Sequence, residues 1–266
     1  MAKVVRGVDS YKKEFLSIFN SLCGRHGRWE VWSDFIQLTA IDISNVTDKA
    51  NAPKRAADAR NIAKKYSEDE IKRMAEMLMQ MVYAIDENPD QDFLGELYMA
   101  CNLGNDHAGQ FFTPYNVCQC MSEITYDVPA LLDGKGFIAV NDPACGAGAL
   151  LLSFANACKR HDINYQQKVL FVAQDIDYTV GLMCYIQLSL MGCAGYELHR
   201  HRNKRAAEHQ VHHPDPQGRH TPAPGHRSDG QLDRQADYGC PYTDGGRPKR
   251  SHRGGRAPRR VCAGDL

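Results

Sequence analysis

No Cys-x-x-Cys pair occurs among the ten cysteines, and the two nearest in sequence are Cys118 and Cys120. Structural metal sites usually draw four converging ligands from close pairs, so this scatter argues against a metal. Cys145, Cys158, Cys184 and Cys193 sit among apolar neighbours and read as core thiols of a reducing compartment. Net charge is also missing: 32 basic residues balance 32 acidic ones and the pI is about 7.1. The chain as a whole does not attract nucleic acid, and any basic surface has to be local. No run approaches the ~20 apolar residues of a membrane span, and Met1–Ser10 lacks the apolar stretch of a signal peptide. The expectation is a cytoplasmic protein without membrane contact. One absence is regional. From Glu197 to Leu266 there is no Ile, Phe, Met or Trp, and the aliphatics larger than alanine are Leu198, Val211, Leu232, Val261 and Leu266. So few cannot bury enough surface to offset ordering entropy, and disorder is expected there.

What is present before residue 197 falls into two styles. Residues 1–104 read as helices. Phe15, Ile18, Phe19 and Leu22 recur at helical spacing after Asp9-Ser10, a candidate cap. Val31, Trp32, Phe35, Ile36 and Leu38 suggest a second helix, and Pro53 suits the first turn of a third. Ser67-Glu68-Asp69-Glu70 has the spacing of a capping box. Ile71, Met74, Leu78, Met81, Val82 and Ile85 follow as one apolar face, read as core. Asn88-Pro89-Asp90 reads as a turn, and a shorter helix ends near Gly104. Residues 105–196 alternate instead. Gly136–Asn141 and Lys168–Gln174 look like buried strands, and Gly148–Arg160 and Tyr178–Met191 like apolar helices. Strand–helix–strand–helix order predicts an α/β domain with parallel pairing.

Asp142-Pro143-Ala144-Cys145-Gly146-Ala147-Gly148 follows the first strand and opens a helix. Glycines there let backbone approach a ligand closely, and helix-start amides favour anionic groups. A tight turn that binds nothing has the same look. Asp175, just past the second strand, stands where nucleotide-binding α/β folds place an acid on ribose hydroxyls; a carboxylate accepts two hydrogen bonds, which suits a vicinal diol. Asp177 competes for that role or caps the following helix. Gly109-Gln110-Phe111-Phe112-Thr113-Pro114 is by composition a loop with two core aromatics.

Together, Gly-Gln-Phe-Phe-Thr-Pro, Asp-Pro-Ala-Cys-Gly-Ala-Gly and Ala-Gln-Asp-Ile-Asp resemble, in order and separation, the N6-adenine DNA methyltransferase family. That family includes modification subunits of type I restriction-modification systems, and the resemblance covers roughly residues 90–196. It implies a Rossmann-like methyltransferase core and S-adenosyl-L-methionine as cofactor. Double-stranded DNA is the implied substrate, and specificity and restriction subunits are the implied partners. It also implies that Gln110, Phe111, Phe112, Thr113, Pro114 and the neighbouring Tyr115 close over the methionine part of the cofactor. Asp142, Pro143, Gly146, Ala147 and Gly148 would cradle it, and Asp175 would hold the ribose. The family commonly carries Thr or Ser where this chain has Ala147, and Gly where it has Ala149.

The family's catalytic motif, Asn or Asp followed by Pro-Pro and an aromatic, occurs nowhere in the 266 residues, so no catalytic residue is assigned. It is due after residue 196, where the apolar pattern stops. A one-base frame change would allow Glu197–Arg202 to read as Phe-Ile-Val-Ile-Gly, a plausible strand. A genuine basic tail using Arg247, Lys249, Arg250, Arg253, Arg256, Arg259 and Arg260 on DNA phosphate is the alternative. The resulting expectation is a helical region over 1–104, an apparently truncated cofactor-binding core over 105–196, and a disordered or frame-shifted tail over 197–266. Adenine-N6 methylation of DNA is the expected activity of the family. A non-catalytic cofactor- or DNA-binding subunit is the competing class. A dinucleotide ligand is weakened by Leu151, where a full Gly-x-Gly-x-x-Gly has its last glycine.

Overall fold

Helix α1 (Val8–Leu22) buries Tyr11, Phe15, Phe19 and Leu22 along one face, as the 3.6-residue period requires. The computed structural model describes residues 7–103, 112–125, 127–199 and 207–209. The cap of α1 is Gly7 rather than Asp9-Ser10; Asp9 lies inside the first turn, where a carboxylate complements the helix dipole. Helix α2 (Arg28–Thr47) sets Trp32 and Phe35 edge-on to Phe15, with centroids 6.0 and 5.5 Å away. Helix α3 (Ala52–Ala63) carries proline in its first turn. Helix α4 (Glu68–Glu87) opens with the expected capping box: Glu70 N–H donates to Ser67 Oγ at 3.3 Å and Ser67 N–H to Glu70 Oε2 at 2.7 Å. Met74, Met77 and Met81 of α4 are core residues, and α4 lies along α1. Asn88 then accepts from Asp90 N–H at 3.0 Å, a side-chain turn that ends the helix. Helix α5 (Phe93–Ala100) follows, capped by Asp92.

Beyond the undescribed segment 104–111 come α6 (Tyr115–Thr125) and α7 (Val128–Leu132), neither anticipated from the sequence. The sheet is built from β1 (Ile138–Asp142), β2 (Val169–Asp175), β3 (Gly195–His199) and β4 (Ala207–His209), in that spatial order. Strands β1, β2 and β3 run parallel and β4 antiparallel. Helix α8 (Ala149–Arg160), with the short α9 (Tyr165–Lys168), connects β1 to β2, and α10 (Tyr178–Leu190) connects β2 to β3. The core is therefore α/β, as expected. Successive crossovers of one hand put their helices on one face of the sheet, and α8 and α10 do touch. The other face, with Ala139, Asn141, Leu170, Val172 and Gln174, is exposed or half-buried.

Two observations bear on the expected boundaries. A third parallel strand runs across residue 196, where the domain was expected to stop. Its pairing with β2 begins as Phe171 N–H donates to Ala194 O at 2.8 Å. A strand edge offers its hydrogen bonds to backbone whatever the side chains are, so the apolar count missed it. Of the expected disordered tail, all but 197–199 and 207–209 lies outside the described residues. The second boundary, at 104/105, does not divide the core. One apolar cluster runs continuously from Tyr11 to Cys193. Helix α10 is buried all round, with α2 on one side and β2 and β3 on another. Polar links reinforce that contact: Ser44 Oγ lies 2.8 Å from Tyr185 Oη, and Ser33 Oγ 3.3 Å from Thr179 Oγ1. Among the described residues, no helix is long and apolar enough to cross a membrane.

Candidate functional site

Strand β1 ends at Asp142 and the chain turns through Pro143–Gly148 into α8. The turn is held against the end of β2 by backbone bonds. Cys145 N–H donates to Gln174 O at 2.9 Å, and Gly146 N–H donates to Asp175 Oδ2 at 2.9 Å. The other oxygen, Asp175 Oδ1, accepts from Asp177 N–H at 2.8 Å. Two amides thus fix the Asp175 carboxylate from the protein side. Each oxygen has a second lone pair, so the half-buried carboxylate keeps two further acceptor positions. Asp177 takes the capping role, accepting from Val180 N–H at 3.1 Å.

Two glycines of the turn occupy left-handed conformations, Gly146 at φ 56° and Gly148 at φ 97°. Their surroundings differ. A Cβ on Gly148 would come within 2.8 Å of Cys184 Sγ, whereas one on Gly146 would meet only the Phe112 ring, at 3.4 Å. Gly148 is required by α8–α10 packing, and Gly146 faces the aromatic loop. Asp142 is buried, and its carboxyl is pushed above the ordinary range, chiefly by that burial, with the Asp175 charge adding to it. A hydrogen bond from Ala144 N–H, 3.0 Å from Asp142 Oδ1, opposes the shift. Two carboxylates close together create a site that favours a cationic ligand.

Among the residues expected to close over the cofactor, Gln110 and Phe111 lie outside the described residues. Phe112 does reach the glycine turn, and its ring stacks on Tyr98 of α5, centroids 5.2 Å apart at 21°. Thr113 and Pro114 are exposed at the start of α6, and Pro143 is exposed beside Asp142. Tyr115 turns away: its hydroxyl donates to Asp90 Oδ1 at 2.7 Å, because α6 directs it toward the α4–α5 turn.

Two polar residues that sequence reasoning passed over tie the site to the helical region. Gln187 is buried in α10, and its Nε2 donates to Asp92 Oδ1 at 2.8 Å and to Ala147 O at 2.9 Å. Its Oε1 accepts from Leu94 N–H at 3.1 Å. Asp92 also accepts from Gly95 N–H at 2.9 Å. The signal was a lone glutamine in an otherwise apolar helix; a buried amide has to find partners. Its Ala147 contact is backbone, so replacing the family's Thr or Ser by Ala leaves it intact.

Phe112, the glycine turn and the acid after β2 thus meet at the carboxyl ends of two adjacent parallel strands. In open α/β sheets, ligands bind outside such strand ends. Residues 89–217 match the family model described as N-6 DNA Methylase, the family that the three motifs resemble. Two solved structures are similar at 12% identity. One is a putative class I S-adenosylmethionine-dependent methyltransferase from Listeria monocytogenes, with a TM-score of 0.37 over 72% of this chain and 53% of that one. The other is the type I restriction-modification system methyltransferase subunit from Streptococcus thermophilus, with a TM-score of 0.38 over 74% of this chain and 59% of that one. The chain therefore spans little more than half the length of either. Comparison with curated proteins gives no match.

Proposed function

We propose that the glycine turn and Asp175 hold S-adenosyl-L-methionine, and that the chain serves adenine-N6 methylation of DNA. The observation that carries this reading is the Asp175 carboxylate, fixed by the Gly146 and Asp177 amides with two acceptor positions left over. The residues fit the group. A ribose diol matches those two positions, and the Asp142–Asp175 pair suits a ligand bearing ammonium and sulfonium charges. The left-handed backbone at Gly146 leaves room that a side chain would fill. When bound, S-adenosylmethionine supplies an electrophilic methyl group. The chain's own contribution is to orient it: Asp175 at the ribose, Asp142 at the cationic end, and Phe112 covering the turn.

DNA as substrate, and restriction and specificity subunits as partners, belong to this proposal. A second reading, cofactor binding without methyl transfer, rests on the Asn/Asp-Pro-Pro-aromatic string not occurring in the 266 residues. Titration calorimetry tests the first step. The chain should bind S-adenosylmethionine, and Asp175→Ala should weaken binding by ~1.5–3 kcal/mol, the usual worth of hydrogen bonds to a charged group. Equal affinity of variant and parent would remove Asp175 from the site.

A further inference from the structure

The Tyr98 side chain is fully buried, yet its hydroxyl has no hydrogen-bond partner among the described residues. That is unusual, since buried polar atoms are nearly always paired and an exception asks for a reason. Its position suggests one. The ring stacks on Phe112, which in turn lies against Gly146. Trp32 and Trp29 of α2 flank it at 5.9 and 6.2 Å between centroids. The aromatic wall therefore belongs to the helical region, while the surface it faces belongs to the glycine turn. The carboxylates of Asp177 and Asp175 lie within electrostatic reach of the hydroxyl and, with burial as the larger cause, push its pKa up to about 12. The phenol thus stays protonated, a hydrogen-bond donor within electrostatic reach of two carboxylates.

We infer that Tyr98 is a further ligand-binding residue, whose hydroxyl donates to the same ribose that Asp175 accepts from. This rests on the cofactor reading above. The chemistry of the two groups is complementary. A ribose hydroxyl that gives its proton to Asp175 keeps lone pairs, and the Tyr98 phenol is a donor in want of an acceptor. The consequence is that the nucleoside site is shared: α5 of the helical region supplies the donor, and the strand ends supply the acceptor.

Tyr98→Phe in the full chain tests this, because it removes one oxygen and keeps the ring that stacks on Phe112. Calorimetry with S-adenosylmethionine should show affinity reduced about 5- to 10-fold. Thermal unfolding without ligand should be unchanged or shifted upward, since an unpaired buried polar atom has been deleted. That split, weaker binding without weaker folding, is the signature of a ligand contact. Parental affinity in Tyr98→Phe, with Asp175→Ala still impaired, would overturn this inference alone. Parallel losses of affinity and melting temperature would make Tyr98 merely structural and overturn it too. If the parent binds no S-adenosylmethionine at all, both this inference and the cofactor reading fall.

Discussion

Gly146 and Gly148 stand two residues apart in the same turn, both left-handed, and they do different work. Left-handed backbone costs a non-glycine residue roughly 1–2 kcal/mol. At Gly148 the approach of Cys184 adds a steric cost. Gly148→Ala should therefore lose more stability in urea unfolding than Gly146→Ala. Gly146→Val should instead abolish S-adenosylmethionine binding while the helical circular dichroism persists; binding at parental affinity would mean that the turn is only a connection. Asp92 offers a test by pH. Its carboxyl is raised, first by burial, against the hydrogen bonds from Gln187 and Gly95. A carboxyl whose folded pKa exceeds its unfolded value stabilises most below ~3.9 and loses that contribution as pH rises through the folded pKa. Asp92→Asn keeps an acceptor oxygen and cannot ionise. Its melting temperature relative to the parent should rise between pH 4 and pH 7. A flat difference over that range would show that the buried carboxyl carries no such burden.

At the scale of elements, α4 and α10 illustrate opposite ways of specifying a helix. Helix α4 is declared locally, by the Ser67–Glu70 box and an apolar stripe. Ser67→Ala should cost ~1 kcal/mol of stability, read from the urea midpoint. Helix α10 has no polar face; it is specified by being enclosed between α2 and the sheet. Its one fully buried amide, Gln187, joins the cap of α5 to the Ala147 carbonyl. Gln187→Leu leaves Asp92 and Ala147 O each short of a donor, and an unsatisfied buried group costs ~1–3 kcal/mol. The loss should appear in chemical unfolding. A neutral result would mean that the neighbouring groups re-pair.

At the scale of the whole molecule, the helical region and the sheet share one core. Tryptophan fluorescence reports on α2 through Trp29 and Trp32, and far-ultraviolet circular dichroism reports on all elements. The two should give coincident unfolding transitions, the mark of one cooperative unit. Separate midpoints would restore the division at residue 104 that composition suggested. Tritiated-methyl transfer to duplex DNA separates the two readings of the function: the first requires transfer by the 266-residue chain, and the second requires S-adenosylmethionine binding without it, since positioning of the adenine amine is a large part of such a rate. Robust transfer would place the catalytic residues elsewhere in the chain.

The sequence by itself determined the locally encoded parts. The capping box, the proline in α3, the Asn88 turn, two strands and two crossover helices follow from periodicity and side-chain chemistry within a few residues. The three motifs, read in order, named the family that residues 89–217 match. What tertiary structure decided depends on neighbours distant in the chain. Strand β3 exists because β2 presents an edge to pair with, although its own side chains give little sign of it. Tyr115, adjacent to the aromatic loop, is drawn to Asp90 instead of the site. Tyr98 and Gln187 reach the site from helices that periodicity marked only as core. A hydrogen bond between residues some 95 positions apart leaves no periodic trace; it forms because burial obliges each polar group to find whatever partner the fold brings near.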